Sequence, residues 1–168
     1  MNSRDVLLDG FGRVRDDVHG AVEGLDAAAL NFRADKDANT IAWLVWHLSR
    51  VADDHVSEVA GVDQVWTTGG WARRFGLPFD EAATGYGHHS SDVEAVRADP
   101  ALLLGYFDDV HQQTVRYVGG LHDADLDRIV DQRWDPPVTL GVRLVSVIND
   151  CTQHAGQAAF IRGLTERR

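Results

Sequence analysis

At 168 residues, 44% hydrophobic and 25% charged, the chain is long enough for one domain with a substantial core and is read as a single unit over 1–168. Its net charge of −10, from 26 acidic and 16 basic residues, offers no footprint for a phosphate backbone, so nucleic acid is not expected as a partner. No window approaches the roughly eighteen apolar residues of a membrane span, acids interrupt the N-terminal run where a signal peptide must be apolar, and the single cysteine, Cys151, excludes an intramolecular disulfide and cysteine-based zinc frameworks; a cytoplasmic protein away from the membrane is expected.

The first segment places Val6, Leu7, Phe11, Val14, Val18, Val22 and Leu25 at three- and four-residue steps, one face of an amphipathic helix with Ser3 as N-cap. A connection follows. The strongest helix starts at Asn39 or Thr40 and ends at Gly61, with Ile41, Leu44, Val45, Leu48, Val51, Ala52 and Val59 as its apolar stripe. From Gly61 to about Asp92 no period persists. This stretch is rich in glycine, aromatic and turn residues, and a connection of such length in a compact domain is often functional.

Ser91 begins another helical run, interrupted at "RADP". Leu103, Phe107, Val110, Thr114 and Val118 then mark a third long helix, stopped by Gly119 and Gly120. The segment holding Pro136 and Pro137 reads as a connection. The last helix runs from about Thr139 to Glu166. Four long helices without alternating strands predict an all-α protein, an antiparallel four-helix bundle with a long irregular connection between its second and third helices.

Polar residues interrupt the last helix. Asp150 and His154 are four apart and share one face, so a carboxylate and an imidazole can reach one divalent cation. His47 lies mid-helix in the most apolar part of the chain and can supply a third ligand from a facing helix. Two nitrogens and one oxygen suit zinc, nickel or ferrous iron and leave a coordination position open. The plainer alternatives are a surface Asp/His pair and a core histidine bonded to a carbonyl. Gln157, one turn beyond His154, reads as an orienting or substrate-binding group, or simply as a polar residue at the helix boundary. His55 lies two turns beyond His47. His88 and His89 sit in the glycine-rich connection, where either can reach a site or remain solvated.

The segments "WLVWHLSRVADDHVSEVAG" and "DCTQHAGQAAFIRG" resemble the two signature stretches of the DinB-like superfamily, and "VWTTGGWARRFGLPFDEAATGYGHHSSDVEAVRA" is similar to actinobacterial members. That superfamily includes the metal-binding domain of mycothiol-dependent maleylpyruvate isomerase and related thiol S-transferases. The resemblance implies an up-down-down-up bundle, often dimeric, with a divalent metal near one end. Its three ligands are commonly all histidine, with one carboxylate in the isomerase branch, and fall by position on His47, Asp150 and His154.

The activity so implied is S-transfer: mycothiol or a similar small thiol, activated as a metal-bound thiolate, attacks a small electrophile. Zinc is the expected metal, with nickel or iron as alternatives. In this reading Trp66, Trp71, Phe75 and Tyr86 line a substrate pocket and Arg73 or Arg74 meets an acidic group; otherwise the aromatics fold the loop onto the bundle as a satellite core. The isomerase carries a further C-terminal domain without a counterpart here, so a single-domain transferase is expected. The competing expectations are a metal-dependent hydrolase, with Asp53, Asp54 or His55 as base, and a non-catalytic metal-binding stress-response protein. Cys151 is a minor nucleophile candidate.

Overall fold

The computed structural model describes residues 1–167. In chain order its helices are α1 (Ser3–Val22), α2 (Ala27–Leu30), α3 (Ile41–Ala60), α4 (Val65–Thr68), α5 (Trp71–Phe75), α6 (Ser90–Ala95), α7 (Pro100–Gly119) and α8 (Leu140–Thr165). The ends follow local chemistry. Thr40 Oγ1 accepts the Trp43 N–H at 3.0 Å to start α3, and Gly61, at φ +68°, ends it in the left-handed conformation that glycine adopts freely. Asp99 and Thr139 cap α7 and α8 in the same way. The cap of α1 is Asn2 rather than Ser3. Asn2 and Asp5 bond each other's backbone N–H reciprocally, and this box satisfies two otherwise free donors. That helix stops at Val22 instead of reaching Leu25, and Val6 is exposed rather than part of the buried stripe.

The long helices α1, α3, α7 and α8 form the bundle, α1 and α3 each packing on both α7 and α8. Contacts along their lengths set the directions. Gly10 meets Ile148, and Arg162 bonds the carbonyls of Gly20 and Glu23, so α1 and α8 run the same way. Leu48 meets Cys151 while Glu58 meets Arg143, so α3 runs against α8. Asp53 meets Tyr106 and Val59 meets Tyr117, so α3 and α7 are parallel.

That parallel pair explains the long connection. After Ala60 the chain must travel back along a helix of about 30 Å before α7 can begin. The returning segment contains α4, α5 and α6 and passes beside the N-terminal half of α3. Its cover explains why Ile41–Arg50 is buried all round, where the sequence suggests one stripe.

Trp66, Trp71 and Phe75 pack against Tyr106 with ring centroids 5.0, 5.8 and 5.9 Å away, a satellite core under the crossover. Below it lies a buried polar knot. Asp53 accepts from the N–H groups of Val65 and Trp66 at 3.0 and 2.8 Å, which holds the start of α4, and from the hydroxyls of Tyr106 and Ser57. Fully buried Arg50 donates to Gln64, Tyr106 and the carbonyls of Ala83 and Glu81. Buried charges persist only when bonded in this way.

The segment before α8, read from sequence as a plain connection, includes a two-stranded antiparallel ribbon, β1 (Ile129–Asp131) and β2 (Val138–Thr139), with Ile129 opposite Thr139 and Asp131 opposite Val138. Within its turn, Arg133 chelates Asp131 through its backbone N–H and two guanidinium nitrogens. The remaining regular structure among the described residues is helical, including a 3₁₀ helix at Asp123–Asp127. Among the described residues, no helix is long and apolar enough to cross a membrane.

Candidate metal centre and adjoining cleft

The antiparallel packing of α3 on α8 brings His47 against His154, their ring centroids 4.7 Å apart. One donor atom from each of His47, Asp150 and His154 lies within 4.8 Å of the other two. The three residues that spacing and resemblance single out therefore converge in space.

Each imidazole is oriented by its backbone surroundings. His47 donates from Nδ1 to the Thr84 carbonyl at 2.6 Å, which leaves Nε2 free as a ligand atom, and its ring stacks on Trp43 at 4.6 Å. His154 donates from Nδ1 to the Asp150 carbonyl at 2.8 Å, with the same consequence. Gly85 lies against the His47 ring: a Cβ there would sit 2.6 Å from Nδ1, and its φ of +97° suits glycine alone. The crossover thus supplies both the carbonyl that aims His47 and the gap that admits its ring.

Burial pushes His47 below the ordinary histidine value, which keeps it neutral and ligand-competent. The Asp150 carboxylate, 3.4 Å from its Nδ1, is the main reason that His154 lies above that value. Burial pushes Asp150 up, but the approach of His154 and the charges of His154 and His47 outweigh it, so the carboxyl lies below its usual range. Because the His154 Nδ1 proton is committed to the Asp150 carbonyl, Asp150 Oδ2 is buried with no hydrogen-bond partner among the described residues. A carboxylate oxygen left in that state is costly unless a cation meets it. Two free imidazole nitrogens beside it complete a donor set that fits zinc, nickel or ferrous iron.

A cleft of about 390 Å³ opens beside Asp150, with Val51, His55, Val142, Val147 and Trp134 among its walls. Arg143 crosses its floor, donating to Glu58 at 2.8 Å and to His55 Nδ1 at 3.2 Å, and approaching Asp131 at 3.4 Å. Sequence reasoning did not single out Asp131, Arg133, Trp134 or Arg143 for the site. The available signal was the α8 register: Arg143, Val147, Asp150 and His154 follow at steps of four, three and four. His47, Val51, His55 and Glu58 follow at steps of four, four and three on α3, again one face of a helix.

The other candidates lie elsewhere. Trp71 is buried in the satellite core and donates from Nε1 to Asp109 at 2.9 Å. Arg74 stacks on that indole, 3.7 Å from the ring centroid. Tyr86 is 95% exposed, next to Gly85. Gln157 is exposed and lines a separate groove with Asn39 and Phe160. Among the described residues, no hydrogen bond, ion pair or ring contact joins these four to the triad.

His88 packs on Trp46 and Phe79 and accepts from Trp43 Nε1 at 3.1 Å, so it buttresses the crossover. Asp53 has both oxygens occupied, as described for the polar knot. Cys151 is fully enclosed, its thiol 3.7 Å from the Leu48 carbonyl, and burial raises it far above the ordinary thiol value, the opposite of an activated nucleophile.

No curated protein matches the chain. Among solved structures it is similar to one described as the crystal structure of the conserved protein of locus from Enterococcus faecalis, at 26% identity and a TM-score of 0.92, covering 100% of this chain and 99% of that one. The family model described as mycothiol-S-transferase matches residues 6–166. With nearly its whole length matched in sequence, the chain belongs to the DinB-like mycothiol-S-transferase family.

Proposed function

We propose that this protein is a divalent-metal-dependent mycothiol S-transferase whose cation is held by His47, Asp150 and His154. One observation carries the reading: three donor atoms within 4.8 Å of one another, with both histidine Nδ1 atoms occupied by carbonyls and a buried carboxylate oxygen lacking a hydrogen-bond partner. Family membership supports the thiol and the transfer. Zinc is the first choice of metal, with nickel and iron next. A bound divalent cation would lower the pKa of a thiol so that the thiolate is present at neutral pH.

The chain's own residues do the rest. By holding the cation, His47, Asp150 and His154 would fix the position at which sulfur is presented, and the apolar side chains of the adjoining cleft exclude water from it. His55 accepts from Arg143 at Nδ1, so its neutral form carries its proton on Nε2, a donor for charge developing on the electrophile. The sulfur forms the new carbon–sulfur bond as the electrophile's bond to its leaving group breaks and that group departs with the electron pair; the thiol proton goes to solvent or to the departing group. This reading also carries a cytoplasmic location and, by family likeness, a homodimer. A hydrolase is less well served, because Asp53 is saturated with hydrogen bonds, Asp54 is held by Gln64, and the Nδ1 acceptor of His55 is taken up by Arg143.

The test is metal analysis of wild type, His47→Ala and His154→Ala after reconstitution, followed by titration with mycothiol and a chromogenic alkylating electrophile. One equivalent of metal in wild type, lost in both variants, together with mycothiol-dependent alkylation, supports the proposal. Equal metal content in all three proteins overturns the ligand assignment. Metal binding without thiol-dependent turnover points instead to a non-catalytic metal-binding protein.

A further inference from the structure

The cleft beside Asp150 has a second chamber. His55, Arg133 and Arg143 wall both this cleft and an adjoining hollow of about 460 Å³ lined also by Asp54, Glu58, Asp63 and Gln64. The two chambers differ in character. The first sets four valines and Trp134, which is 66% exposed on the ribbon, beside its polar residues. The second is lined almost wholly by groups that accept or donate hydrogen bonds.

Its arginines are paired with carboxylates, and Asp54 with a side-chain amide. Arg143 meets Glu58 at 2.8 Å, Arg133 is held by Asp131 at 2.8 and 2.9 Å, and Gln64 donates to Asp54 at 2.8 Å. Three carboxylates, from Asp54, Glu58 and Asp63, face two guanidiniums, so the chamber has no positive excess with which to attract an anion. An apolar group gains nothing among such groups. A neutral polyol fits them, because each hydroxyl both donates and accepts, and fixed carboxylates and guanidiniums lie side by side to meet both roles.

We propose that this second chamber binds the sugar–cyclitol portion of the thiol substrate. Mycothiol is a neutral thiol in which N-acetylcysteine is joined through an amide to a glucosaminyl-inositol. With sulfur at the triad, the cysteinyl part occupies the valine-walled chamber, leaving the hydroxyl-rich remainder for the chamber beyond. The inference rests on the transferase reading for the placement of sulfur, while the chemistry of the chamber stands independently of it.

Two variants at an exposed side chain that lines only the second chamber test it, Asp63→Ala and Asp63→Asn. With the zinc-loaded protein, kcat/KM is measured for mycothiol and for N-acetylcysteine. The advantage of mycothiol should shrink about tenfold in each variant, the loss expected for one hydrogen bond to a charged group. Thiol-free glucosaminyl-inositol, titrated by NMR, should bind wild type and bind each variant more weakly. Equal losses for both thiols, or no binding of the thiol-free polyol by wild type, overturn the proposal. The NMR titration needs no turnover: polyol binding without S-transfer supports the chamber and tells against the transferase reading alone.

Discussion

Replacing Gly85 by alanine separates orientation of a ligand from stability of the fold. The added Cβ would lie 2.6 Å from His47 Nδ1 and 3.0 Å from Trp46 Cζ3, whereas carbon meets its neighbours comfortably only at about 3.5 Å. The ring, or the turn bearing Thr84, must give way, and the 2.6 Å bond between them is lost. Losing such an orienting partner typically costs about 10–100-fold in metal affinity. Alanine at φ +97° also carries backbone strain of about 1–3 kcal/mol whatever it touches. Gly87→Ala is the matched control, since Gly87 has φ +77° but no neighbouring atom within 4 Å of the place its methyl would take. Thermal melts should show both variants destabilised, Gly85→Ala the more, because it adds the close contacts and the lost Thr84 bond to the backbone strain. Zinc competition against a chromophoric chelator should show weakened binding in Gly85→Ala alone. If Gly85→Ala binds zinc no more weakly than Gly87→Ala, the crossover does not aim His47 and the reasoning fails.

Three further outcomes are expected. Asp53→Ala strands buried Arg50 and frees the first turn of α4, so urea denaturation should show a loss of about 3–5 kcal/mol. His19 is pushed down by burial, but its bonds to Glu23 and Asp108 outweigh this and raise its folded value above the ordinary 6.5. The stability it contributes is therefore complete below 6.5 and lost as pH rises through the folded value, so His19→Asn should destabilise more at about pH 5.5 than at about pH 8.5 in parallel melts. Cys151, enclosed and far from its thiolate form, should resist iodoacetamide in the native protein and react once it is unfolded in urea; prompt alkylation under native conditions would contradict its placement.

The four long helices were legible because each has a sustained apolar period and a recognisable boundary: Thr40 and Gly61 for α3, Gly119 and Gly120 near the end of α7, Thr139 for α8. The convergence of His47 with Asp150 and His154 was legible as well, through polar groups at helical spacing in apolar surroundings. The cleft was not. Arg133 and Trp134 are exposed residues of a short turn whose ribbon pairing depends on tertiary contacts, and Arg143 in isolation resembles any surface arginine near a helix start. The crossover aromatics illustrate a different difficulty. Trp66, Trp71 and Phe75 have compositions equally suited to a pocket or a satellite core, and only packing against Tyr106 on α7 decides for the core. Asp53 and Arg50 likewise gain their meaning from backbone groups of a segment that has no regular period.

The way in which Arg50 holds the crossover bears on how this protein can vary. Arg50 donates to the carbonyl oxygens of Glu81 and Ala83, and His47 donates to the carbonyl of Thr84. All three acceptors are main-chain atoms, present whatever side chains occupy those positions. Glu81, Ala83 and Thr84 can therefore be exchanged freely while the imidazole keeps its aim, and the constraint condenses onto two places: a long guanidinium below the strand of chain and an absent side chain at Gly85. A designer wishing to alter the surface near the candidate metal site has latitude at residues 81, 83 and 84 that their proximity to it would not suggest.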